Sequence, residues 1–304
     1  MLPHITFNLK KNNEYYKKLE ANIMCSIFKY NSIVGRNFDY EISYDEELKI
    51  ISTMEYGNRF KIIGICAGII KDYPLLYDGM NEYGLVCGGL AFTDNAVYND
   101  EMENKINIPS FDFVFQILSS FKSVKEVCKF LKSVNITNKA YSKELPPADL
   151  HWFIADEEES IIVEQTKDGL KMYNGDVMTN NPIYPTQLKL SQDELTNVGV
   201  NDRYSIDYNS RGMETINLKG DYTSMGRFQR LSYLKKQIEL SNNSFKEINE
   251  AFHLLSSVEQ IYGVTPVNNK YEYTIYSVVY DMNNKTVHLK NYDNLDSEFA
   301  SISL

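Results

Sequence analysis

The chain has 304 residues, 43% of them hydrophobic and 24% charged, with a formal net charge of −10. These globular values exclude a disordered, collagen-like or coiled-coil chain, and the length supports a sizeable core without disulfides or metals. The charge excludes a nucleic-acid binder, whose phosphate contacts need clustered Lys and Arg, and weighs against docking on an anionic membrane. The longest apolar run, Ile62 to Ile70, is nine residues interrupted by two glycines, far short of the ~20 needed to span a bilayer.

Residues 1–24 are polar, with no apolar stretch or cleavage signature of a signal peptide, and predict a short helix over 12–22. From Cys25 the sequence reads as strands: a hairpin over Cys25–Asp39 turning at Asn31-Ser32, a run from Phe60 to Ala67, and a second hairpin over Tyr77–Phe92 turning at Asn81–Gly84. The period then becomes helical at Phe111, Val114, Phe115 and Leu118. Ser123 with Glu126 forms a capping box ahead of Val127, Phe130 and Leu131. Strands resume at 150–156, 160–165 and 170–173, and 182–220 reads as a polar, loop-rich stretch. Helices follow at 224–240 and 245–258, and strands at 271–281 and 285–292. No repeat or linker divides the chain, so 25–304 is expected to be one α+β domain with helices layered on antiparallel sheets.

No GxGxxG, P-loop, HExxH or EF-hand loop occurs, and His4, His151, His253 and His288 lack ligand spacing, so neither a cofactor nor a metal is expected. Cys25, Cys66, Cys87 and Cys128 lie far apart with no CxxC pair, which reads as free thiols in a reducing cytoplasm. A Cys–His hydrolase would need His151 or His253, and both read as structural histidines on a strand and a helix. By position alone Cys25 is a buried strand cysteine. It nevertheless follows Met24 directly, and trimming there would leave a free α-amine with an intrinsic pKa of ~7.7–8.0. One residue would then supply both nucleophile and base.

The downstream motifs carry that second reading. They are Gly35-Arg36-Asn37-Phe38-Asp39, Asp78-Gly79-Met80-Asn81-Glu82-Tyr83-Gly84-Leu85, Leu150-His151-Trp152-Phe153-Ile154-Ala155-Asp156, Val163-Glu164-Gln165-Thr166, Met178-Thr179-Asn180-Asn181-Pro182 and Gly220-Asp221-Tyr222-Thr223-Ser224-Met225-Gly226-Arg227-Phe228. With Met24-Cys25 ahead of them, and in this order, they resemble the choloylglycine hydrolase family of bile salt hydrolases and penicillin V acylases, which are N-terminal-nucleophile hydrolases. The resemblance implies a four-layer αββα sandwich. It also implies Cys25 as nucleophile, Arg36 and Asp39 as its flanking pair, Asn180 as an oxyanion-hole amide and Arg227 as a second site arginine. A guanidinium beside the sulfur would favour thiolate, and a carboxylate beside the amine would orient it.

Three departures stand out. Ala91 replaces the family's usual Asn or Tyr, keeping the backbone N–H but not the side-chain contact, and 217–221 reads Asn-Leu-Lys-Gly-Asp instead of Gly-Leu-Pro-Gly-Asp. Residues 1–24 would bury the amine in a peptide bond. They are expected either to be removed or to precede the true start at Met24. The second is favoured because Leu19-Glu20 can encode a ribosome-binding GGAG and the Asn, Ile, Lys and Tyr content fits a low-GC bacterial genome. The implied activity is hydrolysis of a linear amide joining a bulky apolar acyl group to a small polar amine. Conjugated bile salts lead, with penicillin V or N-acyl homoserine lactones as alternatives and an impaired acyl-ligand binder as the reading of another class. Phe38, Ile42, Tyr44, Ala91, Phe92 and Tyr141 are the expected pocket residues, and a homo-oligomer, commonly a tetramer in the family, is the implied assembly.

Overall fold

The first hairpin forms as expected, from β1 (Met24–Tyr30) and β2 (Ile33–Tyr40). Asn31 takes the left-handed conformation of its tight turn, φ 52°, which a short polar side chain tolerates. The computed structural model describes residues 24–200, 211–239, 241, 243–267, 269–293 and 300–304; the helix expected over 12–22 lies outside the described residues.

Two antiparallel sheets carry the molecule. The first runs β12 (Val177–Met178), β1, β2, β14 (Lys270–Asp281), β15 (Thr286–Asn291) and β16 (Ala300–Ser303), with β13 (Thr265–Val267) also paired to β14. The second runs β11 (Gly169–Asn174), β10 (Ser160–Thr166), β9 (Leu150–Ala155), β6 (Val86–Ala91), β5 (Leu76–Asn81), β4 (Ile62–Cys66) and β3 (Glu47–Ile51). A small parallel pair, β7 (Ile106–Pro109) with β8 (Val134–Thr137), stands apart.

Strand alternation sorts the second sheet's side chains between two cores. Ile63, Ile65, Met80, Val86, Leu90 and Phe153 join the core shared with the first sheet. Ile62, Cys66, Cys87, Trp152, Ile154 and Ile161 turn the other way, against α1 (Phe113–Ser120) and α2 (Val124–Leu131). On the far side of the first sheet lie α4 (Ser224–Gln237) and α5 (Ser244–Ser256), whose Phe228, Leu231, Ala251 and Leu255 pack on that sheet's outer face and extend the same apolar cluster. The layer order is therefore helix, sheet, sheet, helix, the expected αββα sandwich. Ser123 caps α2 by accepting the Glu126 N–H, but the Glu126 carboxylate takes the Lys122 N–H rather than that of Ser123.

One expectation is corrected. Within 182–220, read as loop, Tyr184–Leu195 is a helix, α3. Its buried positions include Gln187 and Ser191, so no apolar period marked it.

Candidate active site

The pairing of β1 with β2 sets Met24 across from Asp39, Cys25 across from Phe38 and Ile27 across from Arg36, while β14 brings Thr274 to the other side of Asp39. Asn180 follows β12, and α4 delivers Arg227 in its first turn after the Thr223 cap. Cys25, Arg36, Asp39 and Arg227 have no exposed surface and Asn180 has 6%. All five converge.

Arg36 reaches the nucleophile candidate, with Nη2 3.8 Å from the Cys25 Sγ. The same nitrogen donates to the Gly89 carbonyl at 2.7 Å, and Nη1 donates to the Tyr77 carbonyl at 2.9 Å and to the Asp78 carboxylate. Asp78 also accepts from the hydroxyls of Tyr276, at 2.6 Å, and Tyr280. Gly88 makes this possible: a Cβ there would lie 3.3 Å from that of Asp78 and 3.6 Å from Arg36 Nη1. Burial works against the Arg36 charge, but the Asp78 carboxylate overcomes it and holds the guanidinium protonated more firmly than usual.

A second network surrounds the backbone of Cys25. Its N–H donates to Asn180 Oδ1 at 2.9 Å, and Arg227 donates to that same oxygen at 2.8 Å, to the Cys25 carbonyl at 2.6 Å and to Ser26 Oγ at 2.7 Å. Asn180 Nδ2 donates to the Ala91 carbonyl at 2.9 Å, and the Asn180 backbone is tied to Ser224 and Gln187. Phe92 N–H pairs with Asp149 in the direction of β9. Antiparallel alternation therefore turns the Ala91 N–H and carbonyl the other way, towards Asn180.

Two electrostatic expectations change. Arg36 does sit beside the sulfur, yet burial outweighs it and pushes the Cys25 thiol up to about 11. Asp39 does not hold the Cys25 nitrogen; its oxygens accept from Thr274 at 2.6 Å and Gln260 at 3.0 Å, with Arg227 at 3.9 Å. Burial raises its carboxyl, against the pull of Arg227.

A cavity of about 410 Å³ abuts the cluster, lined by Phe38, Tyr77, Gly89 and Ala91 on the inner side and by Tyr44, Phe111 and Tyr141 among its other walls. Of the expected pocket residues, Phe38, Tyr44, Ala91 and Tyr141 line it; Ile42 and Phe92 do not. Phe92 follows Ala91, is buried, and stacks on the His151 ring at 4.3 Å. Ile42 lies just beyond β2 and packs on the core between the sheets. His151 is engaged by Glu164 at 3.4 Å and the Thr179 carbonyl at 2.8 Å, and His253 is exposed on α5, so neither partners Cys25. Among the described residues no group of three or more His, Cys, Asp or Glu could hold a metal ion, and no helix is long and apolar enough to cross a membrane.

Sequence reading missed Asp78, Thr274, Gln260 and Glu272. Asp78 carried a signal, a carboxylate beside Gly79 within the quoted motif and inside a buried strand. Glu272 is fully buried, and its Oε1 accepts the Met24 N–H at 2.5 Å. Burial, reinforced by Asp39, pushes its carboxyl up to about 9.

The five convergent side chains meet at the seam of an αββα sandwich, around the cysteine of strand β1. Residues 21–304 match the model of the linear amide C–N hydrolases, choloylglycine hydrolase family. Among similar proteins, a bile salt hydrolase/transferase of Lactiplantibacillus plantarum is 39% identical over 90% of each chain, and one of Clostridium perfringens 30% identical over 86% of each. A solved mutant of the conjugated bile acid hydrolase from Clostridium perfringens superposes with a TM-score of 0.80 at 27% identity, over 92% of each chain. A penicillin V acylase from Agrobacterium tumefaciens shares the fold, with a TM-score of 0.72 at 20% identity over 92% of this chain and 86% of its own. The chain belongs to the choloylglycine hydrolase family and is a hydrolase acting on linear amide C–N bonds.

Proposed function

We propose that the active form begins at Cys25 and hydrolyses the amide between a bulky apolar acyl group and a small polar amine, conjugated bile salts being the leading substrate. The observation that carries this is the convergence of Arg36, Asn180 and Arg227 on the sulfur, nitrogen and carbonyl of Cys25, beside an aromatic-lined cavity.

In that form the α-amine of Cys25, held by Asn180 Oδ1, takes the thiol proton as sulfur attacks the amide carbonyl. The Asn180 amide and the Ala91 N–H stabilise the oxyanion, each such donor being worth about 3 kcal/mol. The amine returns the proton to the leaving nitrogen, and water then cleaves the thioester by the same route in reverse. Arg36, locked by Asp78, keeps a fixed positive charge beside the sulfur. With residue 24 attached, the nitrogen is an amide and the thiol is buried and neutral, so the full chain is a latent form. Four free thiols fit a reducing cytoplasm, and a homo-oligomer is the assembly that the family resemblance implies.

The test is turnover of glycocholate, taurocholate and penicillin V by protein beginning at Cys25, with Cys25→Ala as control. Hydrolysis of the bile salts that vanishes in the control is expected. Binding without turnover of any of the three would overturn the assignment in favour of an impaired acyl-ligand binder.

A further inference from the structure

Most of the cavity beside Cys25 is walled by aromatic and aliphatic side chains, but its charged residues are of one sign. Asp94, Glu144 and Asp149 line it, and no Lys, Arg or His does. An anionic group inside would meet carboxylates without a compensating cation. The half of the substrate that enters is therefore the uncharged acyl half.

Ser110 lines the same cavity, opens the turn after β7 and is 1% exposed, and among the described residues its Oγ has no hydrogen-bond partner. A buried hydroxyl left in that state costs its desolvation penalty, so native proteins seldom keep one without a use. The neighbouring Tyr98 hydroxyl does not supply a donor. It accepts the Leu150 N–H at 2.7 Å and turns its own proton to the Ala148 carbonyl at 3.0 Å or the Leu150 carbonyl at 3.2 Å. Those bonds hold the backbone on both sides of Asp149, whose half-buried carboxylate accepts the Asp94 N–H at 3.3 Å through Oδ2. Leu150 pairs with Ala91, which ties this wall to the strand that carries the oxyanion donor.

We propose that Ser110 and Asp149 are specificity-determining residues that select acyl groups bearing a hydroxyl; this rests on the reading that the protein hydrolyses bulky acyl amides. A ligand hydroxyl is both donor and acceptor. Donating to the Asp149 carboxylate makes a charge-assisted bond, and a bond to Ser110 Oγ in either direction satisfies that buried oxygen. A ring-hydroxylated acyl group, such as that of a conjugated bile salt, offers these donors at a low cost in ordering, because its rings are rigid. The phenoxyacetyl group of penicillin V offers none, so this wall favours the first substrate over the second.

Protein beginning at Cys25 tests this with two amides that differ only in their ring hydroxyls, glycocholate and the glycine conjugate of 5β-cholanate. The quantity read is the ratio of their kcat/KM values, which a loss of folded enzyme leaves unchanged. Asp149→Leu is expected to shift that ratio against glycocholate by roughly 10-fold or more, and Ser110→Ala by roughly 5-fold. Asp149→Asn, which keeps an acceptor oxygen, should shift it less than Asp149→Leu. An unshifted ratio in Asp149→Leu or in Ser110→Ala would overturn the role of that residue. Failure of the wild type to hydrolyse either conjugate would overturn the bile-salt reading instead. Calorimetric titration of the full chain carrying Cys25→Ala with cholate and with 5β-cholanate then decides the inference without chemistry. Adding Asp149→Leu should weaken cholate selectively, and equal weakening of both ligands would overturn the proposal.

Discussion

Replacing Asp78 with Asn removes the anion from a fully buried pair without changing its shape. Arg36 would keep its bonds to the Tyr77 and Gly89 carbonyls, but its charge would stand uncompensated, and its Nε already has no hydrogen-bond partner. Breaking a buried pair from one side costs about 3–5 kcal/mol. At roughly 2 °C per kcal/mol for a chain of this size, the melting temperature should fall by about 6–10 °C. Urea melts followed by two probes measure the loss, provided that their transitions coincide. The double variant Asp78→Asn with Arg36→Met should recover most of the stability, because no buried charge remains, yet stay inactive without a cation near Sγ. A loss below about 1 kcal/mol in Asp78→Asn, or turnover by the double variant, would refute the idea that Asp78 exists to hold Arg36.

Three further outcomes are expected. Asn180→Ala in protein beginning at Cys25 should lower kcat by about 10²–10³ with a smaller effect on KM, as steady-state kinetics would show. In the full chain, Cys25 should resist iodoacetamide at neutral pH and label faster as pH approaches its raised value of about 11; protein beginning at Cys25 should label much faster at pH 7. Glu272 has a folded value of about 9 against an ordinary 4.5, so the folded chain binds the extra proton and its stability falls as pH rises from about 4.5 towards 9. Glu272→Gln should therefore raise the urea midpoint of the full chain at pH 8 and leave it unchanged at pH 4.

Much of the architecture was legible because its determinants are local. Asn31-Ser32 and Asn81–Gly84 mark tight turns between alternating strands, Ser123 and Glu126 announce α2, and Thr223 caps the helix that carries Arg227. Even the ends of α4 and α5 fall within three residues of those expected. The motif order was equally legible, and it named four residues that the fold gathers around Cys25. Helix α3 was not legible, because its inward face is polar and its Gln187 serves the Asn180 and Pro182 carbonyls rather than a hydrophobic core.

What the tertiary structure alone decided is which partner each of those residues takes. Asp39 finds Thr274 and Gln260 more than 200 positions away, and Asp78 finds Tyr276 and Tyr280 at similar separation. Only the pairing of β2 with β14 and the stacking of the two sheets create those contacts. Side-chain direction at strand ends likewise put Ala91 on the cavity and Phe92 against His151, a choice of face that composition cannot reveal. The charge state of Cys25 belongs here too. A neighbouring arginine argues for thiolate, and burial, a property of the whole fold, argues more strongly against it. Local sequence dictates which residues are present and how each strand and helix begins. Desolvation and long-range pairing, which depend on every layer of the sandwich at once, dictate what those residues are able to do.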